Sequence, residues 1–75
     1  MVKLPRNLSG IEFIKVLKKY YNWEIHSREG SHVTLKKINE KIILTVPLHR
    51  QLDVGTLLAI LRKANIEKDE FIEKL

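Results

Sequence analysis

His32 is the residue in this sequence best placed to do chemistry. It follows Gly30 and Ser31 and opens the alternating run "HVTL", so its imidazole stands at the mouth of a turn. Two more imidazoles occur: His26 in "WEIHSRE" and His49 in "TVPLH". An unperturbed imidazole titrates near ~6.5 and serves as acid or base at neutral pH. Arg28, Lys36 and Lys41 lie close by in sequence. Imidazoles on a cation-lined surface suit phosphodiester chemistry on RNA, where the 2′-hydroxyl attacks its own neighbouring phosphate. That reaction needs a base, an acid and positive charge for the phosphorane. On pattern alone the plainer readings stand beside this one: strand histidines without a role, and cations that only solvate a face. The histidines lack the spacing of a metal site, and no partner carboxylate is placed with them. There is no glycine-rich phosphate loop. No metal or other cofactor is expected.

The elements that must position these groups follow from local signals. Ser9 and Glu12 have capping-box spacing, which marks a helix start. Ile11, Ile14, Val16, Leu17 and Tyr20 follow at roughly helical spacing, and Asn22 suits a left-handed C-terminal cap. Three runs of period two come next. Trp23, Ile25 and Ser27 form the inward set of the first, Val33 and Leu35 of the second, and Ile42, Leu44 and Val46 of the third. The outward set is then Glu24, His26, Arg28, His32, Thr34, Lys36, Lys41, Ile43 and Thr45.

Opposed residues in a hairpin share a face. A two-residue turn at Asn39-Glu40 pairs Leu35 with Leu44, Val33 with Val46 and Thr34 with Thr45, in full agreement with the pattern. A two-residue Gly30-Ser31 turn would pair Arg28 with Val33, against it. A loop of Glu29, Gly30 and Ser31 instead sets Ser27 against Val33, Ile25 against Leu35 and Arg28 against His32. An odd loop or bulge near Gly30 is therefore expected, with a positive φ at Gly30. His32 also falls opposite the end of the third strand, which brings His49 within range of it. Pro47 ends that strand. A second helix follows, capped by Asp53, with Leu57, Leu58, Ile60, Leu61 and Ala64 on its apolar side and Asn65 at its end. A short helix from about Lys68 would seat Phe71, Ile72 and Leu75. The expected fold is α+β: a three-stranded antiparallel meander with helices on one face, in the order α-β-β-β-α plus a short C-terminal helix.

A chain of 75 residues allows one domain, residues 1–75, and 44% hydrophobic residues supply a modest core. It has no cysteine, which suits a reducing cytoplasm. No apolar stretch approaches a membrane span, and "MVKLPRN" is not followed by the apolar run of a signal peptide. Net charge is +5. The segment 67–75 sets four carboxylates against two lysines, so the cationic excess lies in the rest of the chain. Such a body suggests a polyanionic partner, most often nucleic acid.

The ordered pieces "GSHVTL", "LTVPLH" and "GTLLAILRKANI" resemble the HicA (YcfA-like) mRNA interferase family, the toxins of HicAB toxin–antitoxin pairs. "LSGIEFIKVLKK" and "DEFIEKL" fit as well, so the likeness spans about Leu4 to Leu75. The resemblance implies a double-stranded-RNA-binding-domain-like (dsRBD-like) fold and a metal-independent endoribonuclease that cuts mRNA. It implies a HicB-like antitoxin that covers the active face. It places the catalytic histidine at His32, within Gly30-Ser31-His32, and carries His49 as a possible second acid or base. Arg28, Ser31, Lys36 and Lys41 are the expected RNA contacts. Leu58 stands where the family commonly has a basic residue. The rival readings are a non-catalytic RNA-binding module of the same fold and a pure interaction protein.

Overall fold

The structure is a computed structural model that describes Leu4 and residues 7–75. Its elements run in the order α1 (Gly10–Tyr21), β1 (Glu24–Glu29), β2 (His32–Lys36), β3 (Ile43–Pro47), α2 (Val54–Lys63) and α3 (Lys68–Glu73). The strands form one antiparallel sheet in the order β1-β2-β3. This is the expected dsRBD-like α+β architecture.

Each helix end has a local cause. The Glu12 amide donates to Ser9 Oγ at 3.0 Å, and the Ser9 amide donates to Glu12 Oε1 at 3.0 Å, so two orphan donors are satisfied reciprocally. Asn22 closes α1 in the left-handed region at φ 60°. Asp53 caps α2 by accepting from the Thr56 amide. Beyond α2, Asn65 at φ 59° lets its own amide reach the Arg62 carbonyl and the Ile66 amide reach Leu61, a Schellman motif. Asparagine tolerates this backbone better than other residues with a Cβ.

One hydrophobic cluster joins the inner face of the sheet to the helices. Val33, Leu35, Leu44 and Val46 meet Phe13, Leu17, Leu57 and Phe71, all buried. Phe13 and Phe71 pack edge to face at 5.3 Å. Trp23 is buried as expected, 3% exposed, which supports the assigned inner face. Helix α1 differs in detail from its sequence reading. Phe13 is fully buried alongside Leu17, whereas Ile11 and Tyr20 are exposed. The buried stripe runs through positions 10, 13, 14 and 17, and Phe71 of α3 supplies the partner that draws Phe13 inward. Leu75, expected on the core, is exposed, as is Ile42.

The β2–β3 register is the one read from parity: Val33 faces Val46, Thr34 faces Thr45 and Leu35 faces Leu44. The hydrogen-bonded turn lies one residue earlier than expected. The Glu40 amide donates to the Lys37 carbonyl, so Ile38 and Asn39 are its central residues, with Asn39 at φ 65°. Residues 37–42 thus form an open loop.

The β1–β2 hairpin corrects the expectation. Glu29 pairs with His32, Arg28 with Val33 and Ser27 with Thr34, so the connection is the two-residue Gly30-Ser31 turn. Gly30 has φ +56°. A glycine with positive φ at the first central position suits the right-handed twist of a hairpin. The parity conflict is absorbed four residues upstream. Ile25 still pairs with Leu35, and His26 is the extra residue of a β-bulge between Ile25 and Ser27.

Candidate active site on the open face of the sheet

The helices cover one face of the sheet and leave the other open. Cross-strand partners share a face, and so do alternate residues along a strand. Three rows therefore cross the open face. The first, at the turn, is Glu29–His32–Pro47; the second is Ser27–Thr34–Thr45; the third is Glu24–Lys36–Ile43. Adjacent rows lie two residues apart, about 7 Å. His32 is exposed at one end of β2, between the carboxylate of β1 and the proline of β3.

The backbone around His32 is held from three sides. The Leu48 amide donates to the Ser31 carbonyl at 2.6 Å, which prolongs the β2–β3 contact past Pro47, a residue with no N–H of its own. The Gly10 amide donates to the His49 carbonyl at 3.0 Å. The segment after β3 is thus clamped between the turn and the start of α1. Gly10 makes this approach possible, because a Cβ there would overlap the Pro47 carbonyl oxygen and lie 3.1 Å from Leu48 Cα. On the third side, Arg28 Nε donates to the Gly30 carbonyl at 3.1 Å and braces the turn.

Ser31 and His32 stand together at the turn, as expected. His49 is exposed just beyond β3, and Leu48 before it packs against the core. Arg28 is not on this face. Its pairing with Val33 puts it on the helix side, where it lines a groove with Ile11, Lys15 and Lys18. Lys36 shares the open face but lies four residues along β2, about 14 Å from His32. Lys41 sits in the 37–42 loop, before β3 begins, and not in a row of the sheet. His26, as the bulge residue, has no cross-strand partner.

The sequence reading placed no carboxylate with a histidine, and the structure corrects this: Glu29 is the direct partner of His32. The signal was present. Gly-Ser between two strand-like runs is a two-residue hairpin turn in its own right, and it sets Glu29 against His32. Ser27 joins the face for the same reason, while Thr45 lies on it as expected. Among the described residues no group of three or more His, Cys, Asp or Glu is arranged to hold a metal ion.

An α-β-β-β-α chain with its helices on one face of a three-stranded antiparallel sheet defines the dsRBD-like class. The chain belongs to the HicA toxin family: the family described as HicA toxin of bacterial toxin-antitoxin matches residues 10–66. The match runs from the first residue of α1 to Ile66, just past α2, and takes in Gly30-Ser31-His32 and Pro47–His49. No curated protein matches the chain.

Proposed function

We propose that this chain is the toxin of a type II toxin–antitoxin pair and acts as an endoribonuclease on mRNA. His32 supplies acid–base catalysis and no metal takes part. The observation that carries this reading is the position of His32. It is an exposed imidazole at the end of the open face, on a turn braced from both neighbouring strands, within the family-matched segment. A flexible RNA strand lying over the sheet meets this ring first at its edge. Ser31 beside it and Lys36 two rows away offer sugar and phosphate contacts, which position a strand without reading its sequence. A HicB-like antitoxin would silence the site by covering the same face.

The test is cleavage of end-labelled RNA by wild-type and His32→Ala proteins, with and without EDTA. Wild-type protein should cut in EDTA. His32→Ala should fold, because an exposed ring contributes little packing, and should lose on the order of 10²–10⁴ in rate. Undiminished cleavage by folded His32→Ala protein, or complete loss of cleavage in EDTA, defeats the mechanism. RNA binding without cleavage by the wild type favours the non-catalytic module instead.

A further inference from the structure

We propose that Glu29 is the general base of this site and His32 its general acid; the assignment rests on the ribonuclease reading above. Cleavage through the 2′-hydroxyl moves two protons at atoms on opposite sides of phosphorus. One leaves O2′ as it attacks, and one arrives at O5′ as it departs. A single imidazole does not reach both in one step, so a second group is needed beside it.

The register supplies one. Glu29 and His32 flank the two-residue turn as direct cross-strand partners on the open face, and both are exposed. Directly opposed residues have Cβ atoms about 4.5–5.5 Å apart. The carboxylate and the imidazole therefore stand side by side on the open face, where one phosphodiester can contact both. Among the described residues no side-chain hydrogen bond engages Glu29, so its oxygens remain available. The other charged candidates are less well placed. Arg28 is turned to the helix side and bonded to Gly30, Lys36 is two rows away, and His49 lies beyond the last rung of the ladder.

The step balances as follows. A Glu29 Oε takes the 2′-hydroxyl proton while O2′ bonds to phosphorus. The P–O5′ bond breaks, and the protonated His32 ring gives its N–H proton to O5′. The products are a 2′,3′-cyclic phosphate and a 5′-hydroxyl. Nothing is oxidised or reduced, and exchange with water resets both side chains.

The test uses two RNAs with one scissile linkage each, one with the natural 5′-oxygen and one with sulfur in its place. A thiolate departs without a proton, so the sulfur substrate bypasses the acid but not the base. On the natural RNA, Glu29→Gln and His32→Ala should each be slowed on the order of 10²–10⁴. On the sulfur RNA, His32→Ala should recover to within about tenfold of wild type while Glu29→Gln stays slow. Glu29→Gln cleaving the natural RNA as fast as an active wild type overturns the assignment, and so does recovery of Glu29→Gln in place of His32→Ala. An unrecovered loss in His49→Ala alongside normal Glu29→Gln activity moves the base to His49 and also overturns it. Wild-type protein that cuts neither RNA defeats the ribonuclease reading itself, a different failure from the first three. Circular dichroism on each variant confirms the fold before rates are compared.

Discussion

Glu12 shows how a single side chain couples the fold to pH. The backbone N–H of Ser9, then its side chain, then Lys15 hold the Glu12 carboxyl below its ordinary value of 4.5. A carboxylate whose folded pKa is depressed stabilises the fold above the ordinary value and loses that contribution as pH falls through the depressed one. Wild-type protein should therefore exceed Glu12→Gln in thermal midpoint at neutral pH, and the gap should close as the solution is acidified below the carboxylate range. A gap that persists at pH 2 contradicts the capping-box explanation. Ser9→Ala removes the other half of the box and should cost about 1 kcal/mol, read from urea unfolding. At the high end of the pH scale, burial and then the nearby Glu70 and Glu73 push the Tyr21 hydroxyl above its usual 10.0. Its absorbance titration should accordingly lag behind that of a free tyrosine.

At the scale of elements, the bulge and the glycine contact decide the site. His26 is the extra residue of β1. Deleting it leaves Ile25 opposite Leu35 and Ser27 opposite Thr34 with regular alternation between them, so the Glu29–His32 pairing should survive. Cross-strand NOEs between residues 29 and 32 check this, and their loss would show that the bulge sets the register. Gly10→Ala forces a methyl into the Pro47 carbonyl. It should destabilise by roughly 1–3 kcal/mol, the usual range for overpacking, with the urea midpoint as the measurement. Because the same contact holds the His49 carbonyl, the amide shifts of residues 47–49 should move with it. At Gly30 space is open but φ is +56°, so Gly30→Asn should be tolerated better than Gly30→Val.

For the whole molecule, charge and shape decide partners. Cations are in excess, and the acidic residues of segment 67–75 include those of α3, which packs through Phe71 on the helix side of the sheet. On the open face Lys36 is the cation within the three rows, set beside the carboxylates of Glu24 and Glu29, so any phosphate contact on this face is expected to fall to it. RNA affinity should fall linearly in log–log form with salt, and Lys36→Ala should reduce the slope by about 0.7 if it neutralises one phosphate of a single strand. That loss should be similar across RNA sequences, since a phosphate contact carries no base information. Affinity indifferent to salt would remove nucleic acid as the partner of this face. Among the described residues no helix is long and apolar enough to cross a membrane.

Much of this molecule was legible in the sequence because its determinants are local. The Ser9–Glu12 box, the asparagines at 22 and 65 and the alternation of Val33, Leu35, Leu44 and Val46 each follow from backbone sterics or from a strand with one heavily buried face. A register slip there would expose four buried residues, so parity predicts the pairing well. The same logic placed Trp23 inside and His32 at the turn. It failed on β1, where every residue from Glu24 to Glu29 is exposed. Turning Ser27 or Arg28 to the other side of an uncovered edge strand costs little. The turn preference of Gly30-Ser31 therefore prevailed, and a bulge at His26 took up the difference. Phe13 went inward because Phe71, far along the chain, was there to meet it. Two local signals in the sequence disagreed about what faces His32, strand parity favouring a guanidinium and the Gly30-Ser31 turn a carboxylate; the tertiary structure decided between them, because on a weakly buried strand parity carries little energy.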